Sequence, residues 1–293
     1  MSDNQKRGAR VTSKRVNSFV ADIVTYLLIA VFSIFFLFPI YWTFITSIKV
    51  SADTFTSKFI PFIQFEPTLK GWIEQLQAAE NYKALLNSTI IGLASAALAT
   101  FLGSMAGYSL ARFEFRRFFK NSDIISWFLS LRIMPPIALA LPFYALMLYF
   151  GIIDTLPAVI LIHTAFFMPY AVLVTRDAFK SLPKEFEESA LVDGSSRIQI
   201  FFKIALPLAA PALVATYIII FAFSWNEFLF AYVLTNKAAV TMPVYIAGTV
   251  TTVGVLFDVL SVRAILTILP PIVLGFIIQR YLISGLTMGA VKG

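Results

Sequence analysis

The sequence predicts an all-α polytopic membrane protein with six transmembrane helices, and three observations predict it. First, 59% of the 293 residues are hydrophobic and only 13% are charged, so lipid must solvate much of the chain, because a soluble domain of this length could not hide so much apolar surface. Second, the apolar residues fall into six long runs separated by polar segments. Third, the basic residues are sorted by side. Sixteen of the 23 Lys and Arg lie in the first, third and fifth polar segments and at the C-terminus, and only five in the intervening ones. Positive charge is retained in the cytoplasm, so both termini are expected there. That sorting also explains the net charge of +7 without nucleic acid. The absence of cysteine excludes disulfides, thiol catalysis and thiolate metal sites.

Residues 1–18 form a basic tail with Lys6, Arg7, Arg10, Lys14 and Arg15. The first span, 19–48, is too long for a signal-peptide core and reads as a retained anchor with Pro39 as a candidate kink. An outer loop follows over 49–86. Residues 87–282 are expected as a five-helix core, and 283–293 as a C-terminal tail. The second span, 87–110, is rich in Gly, Ala, Ser and Thr, which let helix backbones approach closely in lipid; it is expected inside a bundle. The third span, 123–150, is interrupted by Pro135 and Pro136, and the sixth, 258–282, by Pro270 and Pro271. Such breaks are tolerated where protein or a water-filled cavity satisfies the freed carbonyls. The fourth span covers 156–175 and the fifth 208–234, with a second outer loop over 235–257.

No catalytic constellation, metal cluster or phosphate-binding loop is present, so the chain is expected not to be an enzyme and to bind no cofactor itself. Ionisable groups in lipid face a cavity or pair with each other. Arg132, Asn226, Glu227 and His163 are therefore candidates for a substrate path. The other reading is structural: His163 as a hydrogen-bonded packing residue, and Arg132 and Glu227 as paired groups. Asp258 and Arg263 lie near a boundary, where snorkelling suffices.

The segment 177–207 is the one long charged stretch between apolar runs in the C-terminal half. Pro183 is placed just inside a helix start and Glu185, Glu187 and Glu188 in its first turns, where negative charge suits the helix dipole. Gly194 is placed to end that helix, and Ser195 or Ser196 to cap a second. Two short helices joined at a glycine corner could dock in a partner's groove through Phe186, Ala190 and Leu191.

The run Glu188-Ser189-Ala190, then Gly194, then Ile204-x-Leu206-Pro207 resembles the EAA loop of ABC-importer permeases. Further likeness lies in Asn87-Ser88, Ala106-Gly107-Tyr108 to Phe115, Arg132 to Pro136, Gly151 to Thr155, Ser224 to Phe228, and the ending Gly289-Ala290-Val291-Lys292-Gly293. The chain is similar to the maltose-type second permeases of binding-protein-dependent carbohydrate importers. Its one departure in the core motif is Ser189, where the family usually has Ala. The resemblance implies the ABC type I importer permease fold in a bacterial or archaeal inner membrane, and a carbohydrate cargo, sugar or polyol. It implies as partners a second homologous permease, a dimer of ATPase subunits holding ATP and Mg, and an extracytoplasmic solute-binding protein. Glu188, Ser189, Ala190 and Gly194 would couple to the ATPase, and segments 235–257 and 285–293 would meet the binding protein and the ATPase. The alternatives are an ABC permease for a non-sugar solute and an ion-coupled carrier. A carrier leaves the long cytoplasmic loop without a purpose and needs inverted repeats, of which the sequence holds no clear instance.

Overall fold

The computed structural model describes the backbone of residues 3–251 and 254–290 and the side chains of 22–249 and 254–276. In chain order the helices are α1 (Asp3–Ser47), α2 (Lys70–Gln77), α3 (Ala79–Arg112), α4 (Asn121–Ile133), α5 (Pro136–Tyr149), α6 (Leu156–Ser181) and α7 (Glu185–Val192). They continue with α8 (Arg197–Ile200), α9 (Leu206–Leu208), α10 (Ala210–Trp225), α11 (Leu229–Leu234), α12 (Met242–Ala247) and α13 (Phe257–Ala290). A π-helical turn, Phe201–Ala205, links α8 to α9. Among the described residues the only strands, β1 (Val250–Thr251) and β2 (Gly254–Val255), form a minimal antiparallel hairpin, so the chain is all-α as expected.

Among the described residues four segments are long and apolar enough to cross a membrane: Asp22–Ser47, Ala79–Arg112, Leu156–Ser181 and Phe257–Phe276. Two bent pairs raise the number to six: α4 with α5, bent by 95°, and the α8–α9 segment with α10, bent by 76°. The first bend sits at Pro135-Pro136. Met134 and Pro135 are extended, at φ −64°, ψ 127° and φ −62°, ψ 127°, because the residue before a proline is pushed out of the α region.

Residues 3–18 are helical and run on into the first span, and Pro39 lies inside that helix. The expected break in the sixth span is corrected. Pro270 and Pro271 do not break the sixth span; both lie inside α13, since proline's φ is compatible with a helix even though its N–H is lost. The break falls instead in the fifth span, at Asn226–Phe228 between α10 and α11, where the sequence holds no proline.

The chain divides into two compact units, residues 1–73 with 256–265 and residues 74–255 with 266–293. In the first, the segment after α1 folds around Lys49. The residue is buried, with its ammonium 4.6 Å from the Trp42 ring centroid and 5.3 Å from that of Phe65. Burial pushes its pKa down. Trp72 donates its indole N–H to Ser47 at 3.1 Å, and Ser51 donates to Asp258 at 2.6 Å. The loop is thus tied down, and Asp258 has a partner. The exposed apolar side chains of α1 run from Ile23 to Phe44.

In the second unit α3 is the central strut, packed on α6 and α10. A Cβ on Gly103 would overlap that of Ala171. One on Gly107 would overlap the Thr175 hydroxyl and lie 2.7 Å from the Arg176 backbone nitrogen. Thr175 donates to the Gly103 carbonyl at 3.0 Å across this contact. Small residues in the second span therefore do what the sequence leads one to expect: they bring two backbones into contact. Around the crossing lie Ala96, Ala99, Ala171, Ile220, Phe221 and Trp225.

Candidate functional site

The segment between α6 and α10 forms two short helices with a glycine corner. Helix α7 starts at Glu185, two residues after Pro183 rather than around it. It ends at Val192, and Gly194 takes φ +83°, a conformation that costs a glycine little. Ser196 then caps α8: its hydroxyl accepts from the Gln199 N–H, and the Gln199 side chain accepts from the Ser196 N–H at 2.8 Å.

The corner is held to the bundle by a buried ion pair that sequence reasoning missed. Arg112, at the end of α3, donates through Nε to Glu187 at 2.8 Å and through Nη2 to the Leu182 carbonyl at 3.2 Å. The Tyr108 hydroxyl donates to the other Glu187 oxygen at 2.8 Å. Tyr108 also packs with Phe179 and Phe201, and these rings join Ala205 and Ala209 in one cluster. Glu187 is the acid that turns inward, while its neighbour Glu188 is exposed. One signal was available: Glu187 and Ala190 stand three apart, on one face of the helix.

Of the proposed docking anchors, Phe186 is 53% exposed, Leu191 is half-buried and Ala190 is buried at 8%. Ala190 therefore packs inside the chain and is corrected as an outward anchor. Val192, 88% exposed, and Ile198, 71% exposed, carry the outward apolar surface instead. Ser189 is exposed, its hydroxyl bonded to the Phe186 carbonyl at 3.2 Å.

The path candidates separate. His163 is fully buried, its Nδ1 2.7 Å from the Ser224 hydroxyl and its Nε2 3.0 Å from Glu227. Glu227 also accepts the Phe230 and Ala231 N–H groups at 2.9 and 3.1 Å, capping α11. Together they close the helix break at Asn226–Phe228, the hydrogen-bonded packing role that the sequence offers for His163 beside a path role. A carboxylate aimed at a helix N-terminus satisfies backbone donors that the break leaves unpaired. Asn226 is exposed and bonds back to the Ala222 carbonyl at 2.8 Å. Arg132 is exposed, its guanidinium 4.9 Å from the Tyr170 ring centroid. Asn226 and Arg132 stay available to a path.

On the loop after α11, Asp154 organises the chain. Its backbone sits at φ +59°, and its carboxylate accepts the N–H groups of Asn236, Lys237, Ala238 and Ala239 at 2.8–3.1 Å. Burial raises its pKa, but these four backbone donors outweigh it and hold the carboxyl below the usual range. From the other side, the Asn87 amide donates to the Ala238 and Val240 carbonyls at 3.1 and 2.9 Å, and the Ser88 hydroxyl accepts the Met242 N–H at 2.8 Å. Two stretches singled out in the sequence, Asn87-Ser88 and Gly151 to Thr155, thus meet on one loop. Beyond it the segment 235–257 contains α12 and the hairpin. The stretch 285–293 lies outside the described side chains. Among the described residues no group of three His, Cys, Asp or Glu is placed to hold a metal.

Residues 99–288 match the family described as "Binding-protein-dependent transport system inner membrane component". The trehalose transport system permease protein SugB of Mycobacterium tuberculosis is 35% identical over 88% of this chain and 93% of its own length. The melibiose/raffinose/stachyose import permease protein MelC of Bacillus subtilis is 33% identical over 98% of this chain and 100% of its own length. Among solved structures, a chain of a bacterial ABC transporter involved in the import of the acidic polysaccharide alginate superposes with a TM-score of 0.74. It shares 21% identity over 90% of this chain and 97% of its own, and so speaks to the fold.

Proposed function

The chain belongs to the family of binding-protein-dependent transport system inner membrane components, and on that premise we propose that it is the permease subunit of an ATP-driven carbohydrate importer. It forms half of the translocation path for a sugar or polyol, in a bacterial or archaeal inner membrane, with both termini in the cytoplasm. ATP and Mg belong to a partner ATPase dimer. A second homologous permease supplies the other half of the path, and an extracytoplasmic binding protein delivers the cargo. The curated relatives named for trehalose and for melibiose, raffinose and stachyose support the cargo class.

The observation that carries the coupling role is the α7–α8 corner. Its inner face is clamped by Glu187, Arg112 and Tyr108, while Phe186, Glu188, Val192 and Ile198 face outward. A rigidly attached, outward-facing apolar and acidic helix pair transmits a push from a partner to α3 and α6 without folding away. Closure of the ATPase dimer moves such corners together, and the bundle follows. The loop 235–257, held by Asp154, Asn87 and Ser88, is the surface offered to the binding protein.

The test is purification of the tagged chain from its native membrane in mild detergent, with mass spectrometry of what accompanies it. An ATPase and a second permease are expected, and the binding protein encoded with them narrows the cargo. Recovery of the chain alone, under conditions that keep other membrane complexes intact, would overturn the importer reading. Uptake that survives ATP depletion and follows a proton gradient would replace it with a carrier.

A further inference from the structure

Where α3 ends, α4 begins and α6 runs out, a pocket of about 580 Å³ opens. Its wall carries six basic side chains, Arg112, Arg116, Lys120, Arg176, Lys180 and Lys184, against one acid, Glu114. Three of the six already have a carboxylate: Arg112 has Glu187, Arg116 has Glu114, and Arg176 has Asp177 through Nη1. Lys120, Lys180 and Lys184 have no ion pair among the described residues and are exposed. The Arg176 Nε–H is buried with no acceptor. The pocket therefore has more positive charge and more donors than the protein satisfies.

Its rim is braced. Asn121 donates to the Leu110 and Phe113 carbonyls at 3.1 and 2.8 Å and accepts the Phe115 N–H at 2.8 Å. That fixes the turn out of α3 before any ligand arrives. One residue before Lys120 the surface changes character. An apolar crease of about 420 Å³ is lined by Phe119, Ile124 and Trp127 with Asp123 at its edge. Phe118 beside it is 83% exposed. Trp127, 55% exposed beside a basic pocket, suits the level where headgroups meet acyl chains, because its ring is amphipathic.

We propose that this pair of cavities binds an anionic diacyl phospholipid, its phosphate among Lys120, Lys180, Lys184 and Arg176 and an acyl chain along the Phe119–Trp127 crease. Charge and crease together select the ligand. A free phosphate uses only the pocket, and an acidic protein face has no use for the crease. A zwitterionic lipid brings a cation that three unpaired lysines repel. The site lies where the α3–α4 turn meets the end of α6, which leads into the α7–α8 corner, so a bound lipid would stiffen the base of that corner. The assignment is independent of the cargo.

The test uses the full-length chain, delipidated and returned to detergent with phosphatidylglycerol or phosphatidylcholine, with bound lipid counted by native mass spectrometry. Phosphatidylglycerol is expected to be retained and phosphatidylcholine washed out, with millimolar inorganic phosphate failing to displace the former. The triple variant Lys120→Gln, Lys180→Gln, Lys184→Gln is expected to weaken retention more than about tenfold. These side chains are exposed, and an unchanged elution profile checks that the variant is folded. Trp127→Ala is expected to weaken retention of the diacyl lipid and not of its short-chain counterpart. Equal retention of both lipids, or full retention by the triple variant, would overturn the proposal. Displacement by inorganic phosphate would reassign the pocket to a free anion. Loss of ATPase co-purification from the triple variant with lipid binding intact would reassign it to a protein interface.

Discussion

Two carboxylates decide how the loops attach to this bundle. Glu187 is buried with Arg112, their side chains 8% and 5% exposed. Removing one member of a buried pair strands the other charge and costs about 3 kcal/mol or more. Glu187→Ala is therefore expected to release the α7–α8 corner, and limited proteolysis between Val192 and Arg197 should quicken by at least tenfold. An unchanged cleavage rate would mean that the aromatic cluster around Tyr108 holds the corner alone. Asp154 does the same work on the opposite loop through four backbone donors. Charge-assisted bonds of this kind are roughly twice as strong as neutral ones, so Asp154→Asn should raise amide exchange at residues 236–239 about tenfold. Its folded pKa is depressed below the ordinary carboxylate range. Its contribution is thus complete above the ordinary carboxylate range and is lost only as pH falls through the lower folded value. Protection at 236–239 should accordingly persist at pH 5, and its loss there would contradict the assignment.

At the scale of elements, the glycine corner and the broken fifth span carry distinct consequences. Gly194 sits at φ +83° with open space where a Cβ would point. Gly194→Asp therefore meets no clash, only backbone strain of about 1 kcal/mol and an added charge. Full assembly with the ATPase but uncoupled uptake is expected; normal uptake would remove the coupling role from the corner. The break at Asn226–Phe228 depends on Glu227, which caps α11 and pairs with His163. Glu227→Ala leaves two N–H groups and the buried Nε2 of His163 without partners, at about 1–3 kcal/mol. The purified variant should melt at a lower temperature with the KM for cargo unchanged in whatever activity survives. An unaltered melting temperature with a raised KM would return Glu227 to the path.

For the whole molecule the testable statement is its orientation. The chain has no cysteine, so single cysteines report sidedness without background. Lys237→Cys is expected to react with a membrane-impermeant maleimide in intact cells with the outer membrane opened, and Lys184→Cys only after the inner membrane is broken. The reverse pattern would invert the topology and remove the α7–α8 corner from the ATPase. The charge sorting that predicts this orientation is a property of loops and needs no tertiary contact.

Several features were legible in the sequence because they depend on local chemistry. Six apolar runs followed from hydropathy, the glycine corner from residues that cap and terminate helices, and the close α3–α6 crossing from small residues at Gly103 and Gly107. The Pro135-Pro136 bend followed from the clash of proline with its predecessor. Identical local chemistry at Pro270-Pro271 left α13 continuous, so proline alone does not decide where a span breaks. The partners that decide are remote in sequence. Glu227 at its break is met by His163, 64 residues away, and Glu187 turns inward onto Arg112, 75 residues away. Thus the sequence by itself determined the all-helical membrane class, the six apolar runs and the family resemblance. Which of Glu187 and Glu188 faces out, and which partners His163 takes, was decided only by tertiary structure. In a low-dielectric interior a charged or polar group takes its role from the partner that satisfies it.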